Sequence, residues 1–132
     1  MTLLDSNVLI HYLRGMEPLA SRVKAASPSE LAVPAIVTYA LEHGTLKSGG
    51  ARRRAVLADI LADLREIPFD GDSARSAARI RVELERRGET IGPLDLLIAG
   101  TAVSRGATLI TNNTAEFGKI RHLRLQDWSK VW

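Results

Sequence analysis

The sequence predicts an α/β fold, a three-layer α/β/α arrangement around a short central parallel sheet. Short apolar runs typical of buried strands alternate with longer segments in which apolar residues recur at helical spacing. Strands joined through helices pair in parallel, and the helices then cover both faces of the sheet. The chain has 132 residues and fits one domain, residues 1–132, which is large enough to bury about two-thirds of the unfolded surface.

The first half of the chain is predicted to contain two strands and four helices. The clearest helix lies between residues 51 and 64, where apolar residues recur three or four positions apart. A Gly-rich loop is expected before it, at residues 47–51. In chain order, we predict a strand at 2–4, a helix at 8–13 capped by Asp5 or Ser6, a helix at 17–26, a strand at 31–33, a helix from Pro34 to Gly44, and the helix at 51–64.

The second half is predicted to contain three strands and two helices. Residues 93–98 are almost wholly apolar, so the helix that Pro93 begins should be central. In chain order, we predict a strand at 67–69, a helix that Asp72 caps and Gly88 ends, the helix that follows Gly92, a strand at 107–110, and an edge strand at 124–125.

Composition and charge exclude several classes of protein. Hydrophobic residues make up 45% and charged residues 25% of the chain, which is ordinary for a globular protein. With no cysteine there is no disulfide, thiolate nucleophile or Cys-ligated metal, so a reducing compartment is expected. Residues 1–5 do not have the basic region and long apolar stretch of a signal peptide, and no apolar run approaches the roughly 18 residues of a membrane span. We therefore expect a cytoplasmic protein without a membrane partner. The net charge of +3 favours a polyanionic partner.

Polar residues are expected to meet at the carboxyl edge of the sheet, where ligands bind in open α/β folds. Asp5 follows the first strand, Asp95 lies in the first turn of the apolar helix, and the polar run 111–114 follows the strand at 107–110. Two carboxylates among amide and hydroxyl oxygens suit Mg²⁺ or Mn²⁺. Such a metal lowers the pKa of bound water and stabilises charge on a phosphodiester. The alternative is that Asp5 and Asp95 only cap helices.

Four segments of the chain resemble the motifs of VapC-type PIN domains. The opening motif corresponds to residues 3–10, Leu-Leu-Asp-Ser-Asn-Val-Leu-Ile, with serine in place of the usual threonine. Residues 91–99 resemble the motif of the third acidic residue, and residues 109–117 resemble the fourth motif. The closing segment 123–128 is also similar. The resemblance spans the whole chain in order, and it implies a PIN-like fold.

The same resemblance implies an activity and partners. The family consists of metal-dependent endoribonuclease toxins, so it implies cleavage of tRNA or another structured RNA and neutralisation by a VapB antitoxin. A homodimer or a larger toxin–antitoxin assembly is implied as well, and the helices before residue 65 could receive an antitoxin helix or a second copy. The resemblance implies that Asp5 and Asp95 are metal ligands and, to a lesser degree, that Asn113 and Glu116 are as well. Glu116 could supply the extra carboxylate, because the amide of Asn113 adds no charge.

One acidic position of the resemblance is not matched. The family's second motif places a glutamate on the helix after the second strand, and Ala40 stands at that position in Tyr39-Ala40-Leu41-Glu42-His43-Gly44. Glu42 is a poor substitute, because two residues along a helix rotate a side chain by about 200°. Since the other motifs are intact, we interpret Ala40 as an inactivating change, and we favour a deliberate substitution over natural decay.

Two other functions compete with this interpretation. A phosphatase of the haloacid-dehalogenase type would use an aspartate after the first strand as nucleophile, but it needs a second aspartate where Asn7 stands. A non-catalytic module that binds RNA or antitoxin without cleavage is the second alternative, and Ala40 favours it for the chain as it stands.

Overall fold

The computed structural model describes residues 1–130, which form five strands and seven helices. One or two helices follow each strand except the last. The strands are β1 (Thr2–Leu4), β2 (Leu31–Pro34), β3 (Arg65–Ile67), β4 (Thr108–Ile110) and β5 (Arg124–Gln126). The helices are α1 (Ser6–Leu13), α2 (Leu19–Ala25), α3 (Ala35–Ser48), α4 (Gly50–Ala62), α5 (Gly71–Arg86), α6 (Pro93–Ser104) and α7 (Thr114–Phe117).

The strands form one parallel sheet in the order β3-β2-β1-β4-β5, and helices cover it on both sides. Strand β1 is central, and Leu3 pairs with Ala32 on one side and Leu109 on the other. Leu3 and Leu109 are fully buried, as expected for a parallel sheet with both faces covered. The predicted three-layer α/β/α fold is confirmed.

Helices α5 and α6 approach each other closely, and a glycine makes this possible. A Cβ atom at Gly100 would lie 2.7 Å from both the Ser73 carbonyl oxygen and the Ala77 Cβ. Any larger residue would push the helices apart. The contact matters for the site, because α6 carries Asp95 in its first turn.

The third strand and the cap of α5 differ from the sequence prediction. Strand β3 ends at Ile67 rather than spanning residues 67–69, because Pro68 has no N–H with which to continue the ladder. Asp70, and not Asp72, is the N-cap of α5, and its Oδ1 accepts a hydrogen bond from the Ser73 amide at 2.9 Å.

The loop predicted at residues 47–51 was also wrong. Helix α3 continues past Gly44 to Ser48, and α4 begins at Gly50. The chain turns there because Gly50 adopts a φ of 67°, which residues with a side chain rarely occupy. Only Gly49 therefore separates the two helices.

None of the helices within residues 1–130 is both long and apolar enough to cross a membrane.

Candidate active site

Asp5 lies at the end of β1 and is the N-cap of α1. Its side chain is buried, with 3% of its surface exposed. Oδ1 accepts a hydrogen bond from the Ser6 amide at 2.8 Å, and Oδ2 accepts one from Thr111 Oγ1 at 2.8 Å. The Asp5 amide donates to the Ile110 carbonyl at 3.0 Å. Both carboxylate oxygens are therefore fixed in direction, between the ends of β1 and β4.

Thr111 links Asp5 to the segment that follows β4. Its hydroxyl donates to Asp5 and accepts a hydrogen bond from the Asn113 amide at 3.0 Å. Asn113 begins α7 through its backbone, because its carbonyl accepts from the Phe117 amide at 3.2 Å. The Asn113 side chain makes no capping hydrogen bond. The side-chain amide of Asn113 is thus not consumed by helix capping.

Asp95 is half-buried at the third position of α6. Burial raises the pKa of its carboxyl above the ordinary value, and the negative charges of Asp5 and Glu116 raise it further. These charges act on Asp95 only because the fold brings the three acids into one region. Residues from the ends of β1, α6 and α7 therefore form an acidic crevice, which we define as Asp5, Asp95 and Glu116.

The pKa of Asp5 is also raised, for a different balance of reasons. Burial raises it, while the hydrogen bonds from Thr111 and Ser6 lower it in part. A buried carboxylate beside other carboxylates is an unfavourable arrangement unless a cation compensates it. The acidic crevice therefore concentrates negative charge that a bound cation would compensate.

The donor set of the crevice fits a hard divalent cation. Within residues 1–130, no three Asp, Glu, His or Cys side chains form a metal-binding group on their own. Mg²⁺ does not require such a cage, because it binds through one or two carboxylates together with water and substrate phosphates. Asp5 and Asp95 could supply those carboxylates, so the predicted ligand pair is compatible with Mg²⁺ or Mn²⁺.

Ala40 lies on α3 and lines a groove between α1, α3 and α4. The groove has a volume of about 530 Å³, and within the described part of the chain neither Asp5 nor Asp95 lines it. Ala40 and Glu42 are both half-buried. That residue 40 faces the acidic crevice stays a prediction. The other lining residues are Ile10, Leu13, Arg14, Leu41, Gly44, Thr45, Gly49, Arg52, Arg53, Val56 and Leu57.

Two residues with clear structural roles at the site were not singled out from the sequence. Thr111 was predicted only as part of a polar loop, although a buried hydroxyl directly after a buried strand signals a specific partner. Lys119 was not among the predicted site residues, yet its ammonium contacts Glu116 at 3.3 Å. A basic residue three positions after an acid is a signal for such a pair.

Comparison with known proteins identifies the family. The PIN domain model matches residues 2–123. A tRNA(fMet)-specific endonuclease VapC from Shigella flexneri is 31% identical over 96% of this chain and 97% of its own length. Ribonuclease VapC2 from Rickettsia felis is 34% identical over 97% and 98% of the two chains.

Solved structures agree with this similarity. In the crystal structure of DNA-bound VapBC from Salmonella typhimurium, one chain superposes with a TM-score of 0.89 at 32% identity. The match covers 96% of this chain and 97% of that one. Family model, sequence relatives and fold agree over almost the whole length. This chain therefore belongs to the PIN domain family, among the VapC-type ribonucleases.

Proposed function

We propose that this chain is the toxin of a VapBC-type toxin–antitoxin pair, built as a metal-dependent endoribonuclease. The observation that carries the proposal is the acidic crevice, in which the charges of Asp5 and Glu116 raise the pKa of Asp95. A relative named as a tRNA(fMet)-specific endonuclease points to tRNA as the substrate class. The net charge of +3 suits a polyanionic substrate.

In this proposal Asp5 and Asp95 hold one Mg²⁺ or Mn²⁺ ion. When bound, the ion supplies an activated water and stabilises charge on the phosphodiester. Thr111 fixes the direction of the Asp5 carboxylate through its 2.8 Å hydrogen bond. Asn113 offers an amide that orients water or substrate, and Glu116 adds negative charge beside Asp95.

Ala40 is proposed to impair the enzyme. A third inner carboxylate at this position would strengthen the hold on a hard cation, because affinity rises with the number of charged oxygen ligands. Alanine preserves the helix, since it has the highest helix propensity. Helix α3 is indeed continuous through residue 40. The scaffold is thus intact while one proposed ligand is missing.

The partner is proposed to be a VapB-type antitoxin. The groove lined by α1, α3 and α4 has an apolar floor, and Leu13 and Val56 remain 37% and 43% exposed. An amphipathic segment that lays its apolar face into such a groove would bury these side chains. The structural relatives are VapBC complexes, and a basic side chain of the antitoxin could then reach the acidic crevice.

The experiment is cleavage of a total tRNA pool by this chain and by its Ala40→Glu variant, each with Mg²⁺, with Mn²⁺ and with EDTA. We expect cleavage by Ala40→Glu that EDTA abolishes, and weak or no cleavage by the parent chain. An Asp95→Asn change in the Ala40→Glu variant should remove activity. A folded Ala40→Glu protein that is inactive with both metals would contradict the proposal.

A binding module without catalysis remains the second candidate, because Ala40 replaces the expected acid while the groove is complete. Complex formation with an antitoxin in the absence of cleavage by Ala40→Glu would favour it. The phosphatase alternative is not proposed, since the chain belongs to the PIN domain family.

A further inference from the structure

Lys119 makes an unusual set of contacts just after α7. Its ammonium lies 3.4 Å from Glu116 Oε1 and 3.3 Å from Glu116 Oε2, and it donates to the Thr90 carbonyl at 3.1 Å. Its side chain is 31% exposed. Glu116 belongs to the acidic crevice, and Thr90 lies in the loop that leads to α6 and Asp95. Lys119 therefore bridges two segments that carry site residues.

The backbone of Lys119 is tied to the same loop region. The guanidinium of Arg87, at the C-cap of α5, donates to the Lys119 carbonyl at 2.6 Å and contacts Glu89 at 3.3 Å. Both ends of Lys119 are thus attached to residues 87–90. An exposed ion pair three residues apart contributes little by itself, whereas the contacts of Lys119 with Arg87 and Thr90 join segments about 30 positions apart in the chain.

The hydrogen-bonding capacity of the ammonium decides between two roles for Lys119. An ammonium has three N–H donors, and three acceptors surround this one: the two Glu116 oxygens and the Thr90 carbonyl. A lysine that bound RNA phosphate would keep a donor free for it. The contacts instead favour a residue that holds other groups in place.

We propose that Lys119 is a positioning residue of this site, which clamps the Glu116 carboxylate and the Thr90 carbonyl and so fixes α7 against the loop leading to Asp95. Both Glu116 oxygens contact Lys119, so the lysine holds this carboxylate in one direction beside the acidic crevice. The clamp itself follows from the contacts, and its catalytic consequence rests on the proposed function.

The clamp is tested by amide hydrogen exchange on the chain as it stands. Two amides report on its two sides: Glu89, which donates to the Leu84 carbonyl, and Gly118, which donates to the Thr114 carbonyl, both at 2.8 Å. Lys119→Met should speed the exchange of both by about tenfold, because opening becomes easier when hydrogen bonds to a charged group are lost. Lys119→Arg should restore slow exchange.

Arg75→Met is the matched control, since it removes one charge from an exposed pair with Asp72 within α5. It should leave both reporter amides unchanged. If Lys119→Met speeds only Gly118, the contact is local to α7 and the clamp is overturned.

The catalytic consequence is tested in the Ala40→Glu background. A positioning role predicts that Lys119→Met lowers kcat about tenfold while KM stays within about twofold, with rescue by Lys119→Arg. A rise in KM at unchanged kcat would make Lys119 an RNA contact and overturn the assignment. If the Ala40→Glu protein does not cleave RNA, both the proposed function and the proposed effect of Lys119 on catalysis are wrong. The hydrogen-exchange rates still show whether Lys119 clamps the two segments.

Discussion

Thr111 and Asp5 are joined by a 2.8 Å hydrogen bond between side chains that lie 106 positions apart in the chain. Both residues are buried, and the bond connects the end of β4 to the end of β1. A serine or threonine hydroxyl both donates and accepts, and this one does both, since it also accepts from the Asn113 amide. One hydroxyl thus sets the direction of a site carboxylate and the start of α7.

Thr111→Val should therefore destabilise the fold and disturb the site. The change leaves the Asn113 amide and an oxygen of Asp5 without a buried partner, which should cost about 1–3 kcal/mol of the free energy of unfolding. Urea denaturation measures this cost. Thr111→Ser keeps the hydroxyl and should retain most of the stability. A larger loss for the serine variant than for the valine variant would show that the methyl group, not the hydrogen bond, matters.

Gly100→Ala should destabilise the protein, while Gly44→Ala should stabilise it. A Cβ at Gly100 would clash with backbone and side-chain atoms of α5 at 2.7 Å, and overpacking of this kind costs about 1–3 kcal/mol. A Cβ at Gly44 meets nothing within 4 Å, so helix propensity should add about 1 kcal/mol. Thermal unfolding of both variants measures the contrast. A neutral Gly100→Ala change would show that α5 and α6 can separate without cost.

Asp95→Asn should raise the thermal stability of the metal-free protein at pH 7. The pKa of Asp95 is raised in the folded state, so its protonated form is favoured there. The stabilisation that protonated Asp95 gives to the folded state is therefore complete when the pH is below the ordinary pKa of 3.8. It is lost as the pH rises through the raised pKa of the folded state. Asparagine carries no charge at any pH, so the Asp95→Asn variant avoids this loss of stability. Its stability advantage over the parent chain should shrink as the pH falls toward 3.8.

The measurement is the melting temperature in EDTA between pH 7 and pH 4, with Asp59→Asn on the exposed face of α4 as control. Mg²⁺ should then raise the melting temperature of the parent chain more than that of Asp95→Asn, because a ligand stabilises only the state that binds it. A lower melting temperature for Asp95→Asn at pH 7 would contradict the unfavourable charge at this position.

Glu42→Ala should have little effect on cleavage in the Ala40→Glu protein. The two positions differ by about 200° around α3, so they cannot face the same crevice. Initial rates of tRNA cleavage with and without Glu42→Ala measure this. If Glu42 proved essential, it would be the acid that the site uses, and Ala40 would not mark a lost ligand.

Val56→Asp should weaken binding of a co-expressed VapB-type antitoxin at least about tenfold, because a charged carboxylate would replace an apolar side chain on which the apolar face of the antitoxin segment would pack. Val82→Asp is a matched control, since Val82 is exposed to the same 43% but lies on α5, outside the groove. Size-exclusion chromatography and titration calorimetry measure complex formation. Equal binding by both variants would place the antitoxin elsewhere.

The sequence was sufficient to predict the fold, and it pointed to two acids, Asp5 and Asp95, that the fold brings into one region. Asp5 could be predicted because it follows an apolar strand, and Asp95 because a carboxylate interrupts an apolar helix. The bounds of β3 could not, because a strand of three residues has too few positions to show an alternation. The hydrogen bond of Thr111 and the contacts of Lys119 join segments far apart in the chain, and their partners become visible only when the fold is known.

The central position of β1 delays the assembly of the candidate site during synthesis. Strand β1 pairs with β4, which begins at Thr108, so Thr111 can orient the Asp5 carboxylate only after most of the chain has been made. At about 5–20 residues per second, translation needs roughly 5–20 s to cover that interval. A ribosome that carries a shorter chain than this holds no assembled site, whatever the order in which the other strands pair.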